Sequence, residues 1–240
     1  MMTSAIETLK TWITESDNIV FFGGAGVSTE SGIPDFRSTD GLYHQKFDYP
    51  PETILSHTFF YQHPEYFFKF YREKMLPLDY QPNEAHKKLA ALEQAGKLRA
   101  IVTQNIDGLH QKAGSREVLE LHGSVLRNYC ERCGAFYGLD TILHSTGVPR
   151  CPACGGDIKP DVVLYEESLD QEVLAKAVHY IRQADLMIIG GTSLVVYPAA
   201  GLVQYFRGRH LVVVNKGQVG SNVGADLTIN GPIGQVFSQL

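Results

Sequence analysis

The chain reads as an α/β protein: a Rossmann-like parallel sheet domain with a smaller inserted domain made of a helical module and a four-cysteine zinc ribbon. Three observations predict this. Short β-rich apolar runs alternate with amphipathic helical stretches, the first run ends in a glycine turn, and two segments break the alternation, one dense in aromatics and one holding all four cysteines. With 240 residues, 44% hydrophobic, the chain is long enough to bury a sizeable core.

The N-terminal "MMTSAIETLKTWITESDN" predicts an amphipathic helix, because Glu7, Lys10, Glu15 and Asp17 interrupt its apolar residues in a way a signal peptide does not allow. Strands are expected at "NIVFFG", "RAIVTQ", "EVLELHG", "DVVLYE", "DLMIIGG" and "HLVVVNKG", with helices at "NEAHKKLAALEQAG" and "LDQEVLAKAVHYIRQA" between them. Consecutive apolar positions in these runs mark strands covered on both faces, and such parallel sheets bind ligands beyond the carboxyl ends of their strands. Those ends read "GGAGVS", "TQNIDGLH", "LHGS", "YEES", "GGTSL" and "NKGQ", mostly small and polar side chains, so most of them are expected to line one crevice.

From Tyr43 to Leu78 the segment "HTFFYQHPEYFFKFYREKML" places aromatics at helical spacing with Pro64 as a helix-start residue, and is read as a helical module with its own core. Residues 127–159 are rich in Cys, Gly and Pro. The expected division is therefore a sheet domain over 1–42, 79–126 and 160–240, and a small domain over 43–78 and 127–159.

A net charge of −5 with no basic cluster longer than Lys87-Lys88 gives no footprint for binding nucleic acid or an anionic membrane. No apolar run approaches the roughly 18 residues that cross a bilayer. The expected compartment is the cytoplasm, and oligomeric state is not legible.

All four cysteines fall in two knuckles, Cys130-x2-Cys133 and Cys151-x2-Cys154, separated by seventeen residues. Each knuckle aims two thiolates at one point, and the pair closes the all-sulfur tetrahedron that zinc prefers. The alternative, two disulfides, suits a secreted protein. Four protein ligands leave no open position, so the expected zinc is structural.

"NIVFFG" running into Gly23-Gly24-Ala25-Gly26 suits a turn whose backbone N–H groups approach a diphosphate. The third glycine of the dinucleotide fingerprint is missing, no acidic residue closes an obvious second strand about 20 residues on, and the following helix is cut by "SGIPDFR". A hydride-transfer enzyme is thus disfavoured.

"GAGVS" at 24–28, "GIPDFR" at 32–37, "TQNIDGLH" at 103–110, "LHGS" at 121–124, the cysteine quartet and "GTSL" at 191–194 occur in one order and spacing that resembles the sirtuins of bacterial type, NAD-dependent protein deacylases. The resemblance covers almost the whole chain. It implies that NAD is a co-substrate, zinc a structural ion and acetyl-lysine proteins or peptides the partners, with the acetyl group transferred to ADP-ribose and nicotinamide released. The break at "GIPDFR" would start a loop that folds over NAD, with Asp35, Phe36 and Arg37 near the nicotinamide ribose and diphosphate and Phe36 shielding the reaction from water.

By the same resemblance, Gly24, Ala25, Gly26, Ser28, Gly191, Thr192 and Ser193 hold the diphosphate side, Gln104 the nicotinamide ribose, Asn105, Ile106 and Asp107 the carboxamide, and Asn215 the adenosine ribose. His122 would be the general base, activating a ribose hydroxyl, and His110 is left as structural. Val163, Leu164 and Tyr165 would form the strand on which the substrate peptide lies, Val163 meeting the acyl-lysine amide. Glu166 stands where sirtuins commonly have Gly. Sirtuins specialised for succinyl-lysine carry a Tyr-x-x-Arg pair where this chain has Phe68 and Tyr71, with Arg72 one position on, so a neutral acyl group is expected. Two rival readings remain for the cofactor half: an NAD glycohydrolase or ADP-ribosyltransferase, and a non-catalytic NAD or acyl-lysine binding module.

Overall fold

The amphipathic N-terminal stretch forms α1 (Met2–Glu15), which buries Ile6, Leu9 and Ile13. A computed structural model of the chain describes residues 2–36, 41, 47–76, 79–217, 219 and 223–240. After α1 comes β1 (Ile19–Gly23), then two single 3-10 turns, Ala25–Val27 and Thr29–Ser31, where a doubly wound fold would have a long helix. Gly32 ends the second turn at φ 96°, a left-handed conformation that glycine adopts without steric cost.

The aromatic segment folds into α2 (Pro51–Ile54), α3 (His57–Gln62) and α4 (Pro64–Lys74), with Pro64 in the first turn of α4 as its fixed φ favours. Next are α5 (Glu84–Gln94), β2 (Leu98–Thr103), α6 (Leu109–Lys112), β3 (Val118–Glu120), β4 (Gly123–Cys130), β5 (Phe136–Gly138), α7 (Leu139–Leu143) and β6 (Ile158–Val162). The chain closes with α8 (Gln171–Gln183), β7 (Leu186–Gly190), β8 (His210–Asn215), β9 (Leu227–Asn230) and α9 (Ile233–Phe237).

Six parallel strands lie in the order β3-β2-β1-β7-β8-β9. The order reverses between β1 and β7, which puts a crevice at the carboxyl ends of those two strands. Burial on both faces explains the unbroken apolar runs: Phe21 joins the core under α1, α5 and α9, and Phe22 the opposite core under α8.

"DVVLYE" departs from expectation. Its first residues belong to β6, which pairs antiparallel with β4 in a separate three-stranded sheet, β5-β4-β6, and the rest forms a turn. An apolar run reports burial, and burial on an antiparallel sheet leaves the same mark as burial in a parallel one. The small sheet thus starts at Gly123 and ends at Val162. It shares one core with the helical module: Phe60, Phe67, Phe68 and Tyr71 pack with Val125, Cys130, Cys151 and Ile158, the aromatic rings mostly edge to face.

Candidate active site

Parallel register aligns the strand ends: Gly23 opposes Thr103 and Gly190, Thr103 opposes Glu120, and Gly190 opposes Val214. The residues that follow each strand therefore meet along one edge. The Gly26 N–H donates to the Gly191 carbonyl at 2.8 Å, and a Cβ on Gly26 would lie 2.8 Å from the Gly191 backbone. Gly191 sits at φ 58°, where a Cβ would come within 2.3 Å of the Val27 nitrogen. Neither glycine tolerates a side chain, because the loops after β1 and β7 touch backbone to backbone. Ala25 is half-buried in the turn between them.

Three polar groups form a chain across this edge. The Asn105 amide donates to Ser28 Oγ at 3.1 Å, and Ser28 donates to Asp107 Oδ2 at 2.6 Å, while the Leu109 N–H holds Asp107 Oδ1 at 2.9 Å. Burial pushes the Asp107 carboxyl above its ordinary value, although the bonds from Ser28 and Leu109 pull the other way. The result is an acceptor in a low-dielectric setting, suited to an amide N–H. Ile106 adjoins them, its carbonyl accepting from the Val125 N–H at 3.0 Å and its side chain packing on the small-module core.

Gln104 and Thr192 face each other from neighbouring loops: Thr192 Oγ1 donates to Gln104 Oε1 at 2.8 Å and accepts from the Leu194 N–H at 3.2 Å. Leu194 takes φ 52°, left-handed for a branched residue and a mark of local backbone strain beside half-buried Ser193. His122 lies across from them. Its Nδ1 is 3.0 Å from the Gln104 carbonyl, and since a carbonyl only accepts, Nδ1 carries the proton and Nε2 keeps its lone pair. Burial lowers the His122 pKa and the Gln104 carbonyl opposes that lowering, so the neutral imidazole prevails at pH 7.

His122 is tied to the turn after β6, since its carbonyl accepts from the Val163 N–H at 3.0 Å. Leu164 is buried in the small-module core, and Tyr165 bridges to the α2–α3 connection: its N–H donates to the Leu55 carbonyl and its own carbonyl accepts from His57, both at 2.9 Å. Glu166 keeps the left-handed backbone expected of the usual glycine, at φ 76°. Its carboxylate accepts from the Thr58 N–H at 2.9 Å, in the first turn of α3, which holds its pKa below the ordinary value. A helix-end cap thus offsets the strain of a side chain at a glycine position.

In the zinc ribbon, the four cysteine sulfurs all lie within 4.8 Å of one another, with Cys130 to Cys154 at 3.4 Å and Cys133 to Cys151 at 3.7 Å. A disulfide needs about 2.05 Å, whereas a tetrahedral zinc with 2.3 Å bonds sets sulfurs ~3.8 Å apart. The arrangement therefore fits one ion and neither disulfide. Tyr137 Oη, 3.0 Å from Cys151 Sγ, adds an outer contact of the kind that orients a ligand.

The remaining expected residues are more spread out. Phe36 is half-buried against the small-module core next to Asp35, and Arg37 lies outside the described residues. Asn215 is at the end of β8, its amide donating to the Gly217 carbonyl. His110 is buried beside His86, with ring centroids 4.8 Å apart, and burial lowers both pKa values. Asn83 escaped the sequence reading. It caps α5, and its side-chain amide donates to the Val27 carbonyl at 2.8 Å and to Ser31 at 3.0 Å, bracing the broken segment. Asparagine before a helical run signals the cap, but nothing local signals its distant partners.

The family model described as Sir2 family matches residues 24–198 of this chain. An NAD-dependent protein deacetylase of Clostridium perfringens (strain 13 / Type A) is 58% identical over 242 residues, covering 100% of this chain and 99% of its own. A protein of the same description from Staphylococcus aureus (strain Mu50) is 42% identical, with coverage of 100% and 99%. A solved Sir2 structure with p53 peptide and NAD+ superposes with a TM-score of 0.86 at 42% identity, covering 98% of this chain and 96% of that one. Another, Sir2 bound to acetylated peptide, also gives 0.86, at 40% identity and with coverage of 98% and 96%. Likeness of this extent reaches every strand-end loop described above: the chain belongs to the Sir2 family.

Proposed function

We propose that this protein is an NAD-dependent protein lysine deacetylase that transfers the acetyl group from lysine to ADP-ribose and releases nicotinamide. One observation carries the reading. A histidine with a free Nε2 lone pair and a half-buried carboxylate relay share one sheet edge, and the same histidine is bonded through its backbone to Val163. A pure binding module has no need of a base, and a glycohydrolase has no need of a peptide strand beside it.

NAD, when bound, supplies an anomeric carbon that becomes electrophilic as nicotinamide departs. Asn105, the Ile106 backbone and Asp107 would hold the carboxamide, with Asp107 as acceptor and Ser28 fixing its rotamer. Gln104, Thr192 and Ser193 would meet the ribose and diphosphate, Gly24, Ala25, Gly26 and Gly191 would allow backbone approach, and Asn215 would take the adenosine ribose. Asp35, Phe36 and Arg37 would cover the site and exclude water, which strengthens every electrostatic contact inside it. His122 Nε2 would accept the proton from a ribose hydroxyl. Val163, Leu164 and Tyr165 would carry the peptide as an added strand, between the domain of the six-stranded sheet and the small domain, whose three-stranded sheet runs from Gly123 to Val162.

Among the described residues no helix is long and apolar enough to cross a membrane, and four cysteines free of disulfides and placed to hold one ion suit a reducing compartment. We therefore read the protein as cytoplasmic.

Acyl selectivity follows from three side chains. Phe68 and Tyr71 are fully buried, and the Arg72 guanidinium is committed to the Ile142 carbonyl at 2.9 Å and to Ser145 Oγ at 2.7 Å. None of the three offers a cation to an acyl carboxylate, and a buried carboxylate without a partner costs several kcal/mol in effective terms, roughly a hundredfold or more in rate. The test uses one peptide bearing acetyl- or succinyl-lysine at the same site, with NAD. Acetyl should be removed with a kcat/KM at least roughly a hundredfold higher. Absence of NAD-dependent acetyl loss would overturn the proposed activity, and equal desuccinylation would overturn the selectivity.

A further inference from the structure

The turn that follows β6 is held by a side chain that the reaction itself does not need. The Glu167 carboxylate accepts from the Leu164 N–H at 2.9 Å and from Lys159 Nζ at 3.1 Å through one oxygen, and lies 3.0 Å from His57 Nδ1 through the other. The Glu167 N–H donates back to the Leu164 carbonyl at 3.0 Å, so residues 164–167 form a turn closed by both backbone and side chain. Three separate pieces converge on this carboxylate: β6 through Lys159, the start of α3 through His57, and the turn itself through Leu164. Glu167 is only 18% exposed at its side chain, and Lys159 19%. Screening by water is therefore weaker than for a surface pair. Burial alone would raise the Glu167 pKa, but the Leu164 amide, His57 and Lys159 outweigh it and keep the carboxyl ionised.

What the carboxylate fixes is the stretch between the base and α3. Val163 is bonded to the His122 carbonyl on one side of Leu164, and Tyr165 to Leu55 and His57 on the other. Leu164 is the only one of the three whose N–H is held by a side chain rather than by backbone. A shift at Leu164 moves Val163 relative to His122.

We propose that Glu167 is a positioning residue: it sets the Val163–Tyr165 segment at the distance from His122 that an acyl-lysine peptide requires. This rests on the deacetylase reading above. It predicts a split between the two substrates, because Glu167 touches the peptide strand and none of the strand-end loops assigned to NAD.

The experiment measures Glu167→Ala and Glu167→Gln in the full zinc-loaded chain, with NAD, an acetyl-lysine peptide and the same peptide carrying a fluorescent label. Losing a charged hydrogen-bond acceptor to a backbone amide should weaken peptide affinity and raise the peptide KM roughly tenfold in Glu167→Ala. Glu167→Gln keeps one acceptor oxygen for Leu164 and should fall between Ala and the native protein. The KM for NAD should stay within about twofold in both. Labelled-peptide affinity reads the positioning role even if the wild-type protein binds peptide without turning it over, an outcome that would overturn the deacetylase reading alone. Unchanged peptide affinity in Glu167→Ala would overturn the positioning role. So would a parallel loss for NAD and peptide together with a lower Tm, the pattern of a merely structural residue. Should Glu167→Ala fail to fold, a Glu167→Gln variant with native peptide KM and native affinity would overturn it equally.

Discussion

His122→Ala is expected to reduce deacetylation by at least roughly a hundredfold, the loss typical of a missing general base, while leaving NAD affinity and Tm close to native. The side chain is half-buried and makes one bond, from Nδ1 to the Gln104 carbonyl, so its removal strands an acceptor that has room for water rather than a core cavity. The direction of the pH profile follows from the lowered pKa. A base that must be neutral is fully active at pH 7 and loses activity as pH falls through its own pKa. The acidic limb should therefore lie below the ordinary histidine value of about 6.5, and His122→Ala should lack it. Near-native turnover in that variant, or an acidic limb that persists unchanged, would remove His122 from the chemistry.

Removing the metal should have an effect as large, by another route. Cys130 and Cys151 are 2% exposed and belong to the same core as Phe67, Phe68 and Val162. Without an ion, their thiols lose the interaction that organises both knuckles, and structural zinc sites contribute folding free energy directly. Metal analysis should find one zinc per chain. Stripping it should lower Tm by about 10 °C or more and abolish deacetylation, because β6 leads straight into Val163. Readdition of zinc should restore both. Zinc-free protein that is active and melts at the native temperature would contradict the structural role.

Much of this arrangement was legible in the chain itself. The cysteine quartet was, because two knuckles at fixed spacing leave few geometries. The glycine turn and its early break were legible too, since Gly24 and Gly26 sit where a side chain would strike the neighbouring loop, and Pro34 closes off a helix. Patterning also found α5 and α8, whose caps Asn83 and Asp170 precede periodic apolar residues. Other features had no local signature. "DVVLYE" carried the burial of a core strand but not the identity of its neighbour, and β9, four residues with one buried, lacked the apolar run that marks a parallel strand. Glu166 broke the expected glycine pattern, and only the proximity of Thr58, more than a hundred positions away in sequence, explains how the backbone is kept. Glu167 was invisible for the same reason: its partners His57 and Lys159 come from different elements. Residues near a site are read from motif; those that brace it are read only from contacts.

The most direct test of the account is nicotinamide release from NAD, followed with and without a peptide carrying acetyl-lysine. His122 is bonded through its backbone to Val163 and through its ring to the carbonyl of Gln104, the residue next to the relay of Asn105, Ser28 and Asp107, so departure of nicotinamide should be coupled to the acyl group. The account predicts release only when the acetylated peptide is present, with one nicotinamide formed per lysine deacetylated and the acetyl group recovered on ADP-ribose. Release at the same rate without peptide would instead identify a glycohydrolase, and no release under either condition a binding module.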